Sequence, residues 1–78
     1  MRLRSTGRSW SVLNYAVTEP NKWTCRAIAE DLDDSPKKIG MTVRYLQQRG
    51  FVVKGEKLGK AHTLLPTPLG VEVLYEAI

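Results

Sequence analysis

Seventy-eight residues with 42% apolar side chains describe one globular domain, near the lower size limit for a core that folds without staples, and they exclude a disordered chain. The lone Cys25 excludes an intrachain disulfide and a Cys-rich zinc site, and no apolar run approaches the ~18 residues that span a bilayer, so a reducing, cytoplasmic setting is expected. The net charge of +4 is modest, and the basic start MRLRSTGRSW leads into no apolar stretch, because Ser11 and Asn14 break up the apolar residues after Trp10; a signal peptide is not expected.

Residues 1–8 lack periodicity and form a flexible basic arm with two readings: a frayed tail, which is preferred, or a segment whose Arg2, Arg4 and Arg8 would suit a narrow, negative groove. The domain then occupies 9–78. Ser9 opens a helix running to about Val17 or Thr18, with Leu13, Ala16 and Val17 inward and Trp10 or Val12 helping. Glu19-Pro20-Asn21-Lys22 is a turn, since the helix must end before Pro20. Thr24 caps the second helix, Trp23 before it is placed to staple onto Ile28, and Ala27, Ile28 and Leu32 form its inner side. Cys25 at that helix start has two readings, a reactive thiol or a small packed side chain, and the second is preferred.

Only Asp33 and Asp34 separate the second helix from the third, which forces a sharp bend. The third helix has clear punctuation. Ser35 is a natural N-cap, Pro36 suits the first helical position, and Gly50 supplies a left-handed exit. Ile39, Val43 and Leu46 share one face, while Lys37, Met41, Arg44 and Gln48 share the opposite one, with Tyr45 at its edge. Lys37 and Lys38 stand in the first turn, where the helix dipole disfavours cations. Either an anionic ligand binds there, or Asp33 and Asp34 neutralise the pair.

After Gly50 the period changes to two. Phe51 to Lys54 and Ala61 to Leu65 read as the strands of a hairpin, with a glycine-punctuated cationic loop over 55–60 between them. His62 has no partners at metal spacing and reads as an exposed strand residue. Thr67-Pro68 repeats the cap-plus-proline start, opening a last helix with Val71, Leu74, Tyr75 and Ile78 on one side. The charge tracks these segments: +3 over 1–8, −3 over 9–34, +6 over 35–62 and −2 over 63–78. A basic block between acidic flanks is the footprint of a polyanion-binding face.

The order helix, helix, tight turn, capped helix, two-stranded hairpin, helix gives an α+β, mainly α fold: a winged helix-turn-helix of three helices, a hairpin wing and a short C-terminal helix. Leu46-Gln47-Gln48-Arg49-Gly50-Phe51-Val52 resembles the exit from the third helix in MarR-type bacterial and archaeal regulators. Leu65-Pro66-Thr67-Pro68-Leu69-Gly70 is similar to the leucine-threonine-proline-x-glycine turn after the wing in those families, with Pro66 inserted. The resemblance covers roughly residues 10–78. It implies sequence-specific binding of double-stranded DNA by a homodimeric transcriptional regulator, commonly a repressor, cytoplasmic and nucleoid-associated. The recognition helix, 35–49, would enter the major groove, and the wing, 54–62, would meet the backbone or minor groove.

Carried over by position, Ser35, Pro36, Lys37, Lys38, Gly40, Met41 and Arg44 fall on the groove side of the recognition helix, with Tyr45 at its edge. Lys54, Lys57, Lys60 and His62 fall on the wing. Lysines would meet phosphates, Arg44 would pair with guanine, Met41 would touch a thymine methyl, and Gly40 would allow close backbone approach. The long terminal helices of MarR proteins exceed this length, so no small-molecule effector is expected, and a phage, plasmid or archaeal mini-regulator fits better. No cofactor, metal or membrane partner is called for. An enzyme is not expected, with one His, one Cys and no phosphate-loop motif. The competing function is a winged-helix protein-protein interaction module that docks through Tyr45, Met41 and the last helix.

Overall fold

The computed structural model describes residues 7–76. Its elements are α1 (Arg8–Thr18), α2 (Cys25–Leu32), α3 (Pro36–Gln48), β1 (Val52–Leu58), β2 (Ala61–Pro66) and α4 (Pro68–Glu76). This is the winged helix-turn-helix order that the sequence predicts. The expected roles of Arg2, Arg4 and Ile78 lie outside the described residues. Arg8, expected at the end of the arm, is instead the first residue of α1, with Gly7 at its N-cap.

One core serves every element. Val12, Leu13 and Ala16 of α1, Ile28 and Ala29 of α2, and Ile39, Val43 and Leu46 of α3 close against Phe51, Val52, Leu64, Val73 and Leu74. Three expected inner faces are rotated slightly. In α1, Val12 is fully buried and Val17 only half-buried; in α2, Ala29 rather than Ala27 reaches the core; in α4, Gly70, Val73 and Leu74 turn inward while Tyr75 stays 63% exposed. Short helices span few turns, so neighbouring contacts decide their rotation more than periodicity does.

Local chemistry fixes the joints. Thr24 accepts the Ala27 N–H, as a cap should. Trp23 stands edge-on to Tyr15, ring centroids 4.7 Å apart, and its indole N–H donates to Glu19. Asp33 takes the left-handed conformation (φ 54°), with Asp33 N–H donating to Glu30 and Asp34 N–H to Ala29, which ends α2 and turns the chain into α3. At the far end of α3, Gly50 (φ 79°) donates to Gln47 and Phe51 to Leu46, the paired bonds of a Schellman stop, with Phe51 and Leu46 both buried beside it.

The proline-threonine turn after the wing has a physical basis. The Thr67 hydroxyl donates to the Gly50 carbonyl at 2.5 Å and accepts the Gly70 N–H, while Thr67 N–H donates to Phe51. One side chain thus caps α4 and ties it to the exit of α3. A Cβ on Gly70 would lie 2.0 Å from the Phe51 carbonyl oxygen, so the close crossing demands glycine.

The wing differs from expectation. The 55–60 stretch is not a loop: β1 continues to Leu58, and a two-residue turn at Gly59 (φ 63°) and Lys60 connects it to β2. Lys54 pairs with Leu64 but Lys57 with His62, so Gly55 and Glu56 together oppose Thr63 in a β-bulge. Asn21 N–H donates to Leu64, and Leu64 N–H donates to Trp23, so the α1–α2 loop lies along the free edge of β2.

Candidate nucleic-acid interface

Helix α3 buries Ile39, Val43 and Leu46 and turns Lys37, Met41, Arg44 and Gln48 to solvent, with Met41 65% exposed. Its start departs from expectation in one respect. Ser35 occupies the N-cap position, and its carbonyl accepts the Ile39 N–H, but its hydroxyl makes no capping bond. The Asp34 carboxylate holds the corner instead, accepting the Ser35 N–H at 2.7 Å and the Arg8 guanidinium at 2.8 Å. Arg8, then the Ser35 N–H, hold the Asp34 carboxyl below its ordinary range, and the nearby Lys38 charge adds to this. Asp34 is thus committed mainly to Arg8, and neither Lys37 nor Lys38 forms an ion pair among the described residues.

Two grooves flank the α3 crest. The larger, about 710 Å³, lies between α2, α3 and the wing and is lined by Pro36, Gly40, Arg44, Lys54 and His62. The smaller, about 300 Å³, lies between α3 and the start of α1 and is lined by Arg8, Lys38, Met41 and Tyr45. Lys37 stands exposed on α3, Lys60 forms the wing turn, and Lys57 pairs with His62 further along the hairpin. Pro36, Gly40, Arg44, Lys54 and His62 thus share the larger groove, while Lys38, Met41 and Tyr45 share the smaller one. Lys38, Met41 and Tyr45 are separated from the wing. The Arg49 guanidinium stacks over the Tyr45 ring at 5.3 Å, so that ring is already engaged.

The surface is cationic, and its charges make few ion pairs. Lys37, Lys38, Arg44, Arg49, Lys54, Lys57 and Lys60 are all exposed and enter no ion pair among the described residues. Gly40 has nothing within 4 Å of where a Cβ would sit, so no packing inside the domain requires a glycine there. His62 meets the Gly55 carbonyl oxygen at 3.3 Å through a ring nitrogen. Among the described residues no three His, Cys, Asp or Glu side chains gather as a metal site would require, and no helix is long and apolar enough to cross a membrane.

Sequence patterns missed Arg26 and Gln47, which line the larger groove. Arg26 ends 3.5 Å from Glu30 on the exposed side of α2 and faces the wing across the groove. Gln47 enters the sequence reading only as part of the motif at the exit of α3. Cys25 lines the same groove half-buried, and burial pushes its thiol pKa up, against the reactive reading.

No protein-family model and no curated protein matches the chain. Solved structures do. A MarR-family transcriptional regulator from Rhodococcus sp. RHA1 superposes with a TM-score of 0.81 at 27% identity, over 90% of this chain and 50% of that one. The PcaV transcriptional regulator from Streptomyces coelicolor, solved with its natural ligand, gives 0.79 at 28% identity over the same shares. The transcriptional regulator BldR from Sulfolobus solfataricus shares the fold at 0.78 and 24% identity, over 90% of this chain and 50% of its own. The chain spans about half the length of these structures. Over 90% of its length, it has the winged helix-turn-helix fold of MarR-family transcriptional regulators.

Proposed function

We propose that this domain binds double-stranded DNA sequence-specifically as part of a transcriptional regulator, with α3 in the major groove and the wing on the adjacent backbone or minor groove. The observation that carries this reading is the set of exposed α3 and wing cations that enter no ion pair among the described residues, on a fold shared with transcriptional regulators. Lys37, Lys38, Lys54, Lys57 and Lys60 contact phosphates, which fixes register without reading sequence. Arg44, on the exposed crest beside the wing groove, is placed to reach a guanine edge, a contact worth about 1–3 kcal/mol of discrimination. Met41 offers an apolar contact to a thymine methyl. Pro36 and Gly40 bring bare backbone to the groove, and Ser35, Tyr45 and His62 border the contact.

A helix glycine costs about 1 kcal/mol relative to alanine. With no internal neighbour requiring Gly40, a close external approach accounts for it. Repression is the regulatory sense we assign, acting as a homodimer in the cytoplasm.

Fluorescence anisotropy against random duplex DNA across a salt series tests this. Log affinity should fall linearly with log salt, with a slope of about 0.9 per phosphate neutralised, and Lys37→Glu/Lys57→Glu should flatten it. Absence of binding at low salt, or binding indifferent to salt and to the double variant, would sink the DNA reading and favour a protein-docking module.

A further inference from the structure

Asn21 lies in the α1–α2 loop, outside the basic block, yet three hydrogen bonds join it to the wing. Its backbone N–H donates to the Leu64 carbonyl at 3.0 Å. Its side-chain oxygen accepts the Glu56 N–H at 2.7 Å and the Thr63 hydroxyl at 2.6 Å. The oxygen rather than the nitrogen of the amide must face Glu56, because a backbone N–H can only donate. Asn21 sits at φ 63°, a conformation asparagine tolerates better than most residues.

These bonds converge on the bulge. Gly55 and Glu56 are the two β1 residues opposite Thr63, and Thr63 is fully buried. A Cβ on Gly55 would lie 2.4 Å from the Asn21 side-chain oxygen and 2.5 Å from the Thr63 hydroxyl oxygen. Gly55 therefore leaves the space that the Asn21 amide occupies. Without that amide, the buried Thr63 hydroxyl keeps only the Glu56 carbonyl, at 3.2 Å, as acceptor.

The bulge decides which way the lysines point. In a regular strand Lys54 and Lys57, three positions apart, project to opposite faces. Directly paired residues share a face, and His62 and Leu64 lie two apart on β2, so their partners Lys57 and Lys54 share one face too. Lys54 and His62 line the groove against α3, together with Ala61, Thr63 and Leu64. The extra residue in β1 therefore puts Lys57 on the face that carries Lys54 and His62.

We infer that Asn21 is a positioning residue for the wing: by filling the Gly55 gap and bonding Glu56 and Thr63, it holds the bulge that places Lys57 on the same face as Lys54 and His62. The effect on DNA affinity rests on the function proposed above; the effect on strand register does not.

The test uses Asn21→Gly, which keeps the left-handed backbone and removes the amide, and Asn21→Asp, which keeps an acceptor. Gly55→Ala breaks the same contact from the other side and serves if Asn21→Gly does not fold. On random duplex DNA, Lys57→Ala should lower the salt slope by about 0.9. Asn21→Gly should lower it by a similar amount, Asn21→Asp should restore it, and Asn21→Gly/Lys57→Ala should lose no more than either alone. Additive losses, or an unchanged slope in Asn21→Gly, overturn the inference. If the natural chain binds no DNA, the proposed function fails and the positioning role is judged on the free protein by NMR. The Lys57–His62 cross-strand contact should then vanish in Asn21→Gly and persist in Asn21→Asp; its survival in Asn21→Gly overturns the inference.

Discussion

Two glycines separate the demands of the fold from those of a ligand. Gly70 sits where a Cβ would come 2.0 Å from the Phe51 backbone oxygen, which already accepts the Thr67 N–H. Gly70→Ala should therefore destabilise the domain by about 1–3 kcal/mol, the range for forced overpacking, read as a lower denaturant midpoint with an unchanged slope. Gly40 faces open space, so Gly40→Ala should stabilise the free domain by up to about 1 kcal/mol while weakening DNA binding. Stabilisation without weakened binding would remove the close-approach role of Gly40. The sequence marked both as glycines in or near helices, but it could not distinguish them. The difference lies in a neighbour distant along the chain, Phe51, whose carbonyl only tertiary structure brings against Gly70. Ser35 teaches the converse: the cap position was legible, but the bond was not, because the Asp34 carboxylate accepts the Ser35 N–H and binds Arg8.

At the scale of elements, signals carried by adjacent residues survived and those carried by packing did not. The start of α3 at Pro36, its stop at Gly50 and the cap of α2 at Thr24 depend on local backbone chemistry, and all three lie where the sequence placed them. The wing loop was misplaced because Gly55 resembles turn punctuation, whereas its missing side chain makes room for Asn21. Arg26 joins the groove for a similar reason, since only the tertiary fold sets α2 across from the wing. The α1–α2 contact carries its own test. The Tyr15 hydroxyl donates to the Asp31 carboxylate, and this bond, then burial and the Asp31 charge, raise the tyrosine pKa from 10.0 to about 12. The folded chain holds that proton more tightly than the unfolded chain. The contribution is therefore complete below about pH 10 and is lost as pH climbs toward 12. The natural chain should lose stability across that window more steeply than Tyr15→Phe, as tracked by thermal melts in matched buffers; parallel curves would show that the bond adds nothing to folding.

For the molecule as a whole, size and charge set how much one copy can read. The chain measures 33 × 23 × 20 Å and presents a single α3. On the proposed function, one recognition helix reaches few base pairs, so sequence-specific regulation calls for two half-sites about one helical turn, ~34 Å, apart. The expected complex thus holds two chains on one palindromic duplex. Once an operator has been selected, sedimentation should show two chains per duplex, and inserting about five base pairs between half-sites, half a turn, should abolish cooperative binding while leaving single-site affinity intact. One chain per duplex, or cooperativity indifferent to the insertion, would show that this domain reads DNA alone. Arg44 and the wing lysines would then have to supply the whole discrimination and the whole salt dependence from one half-site.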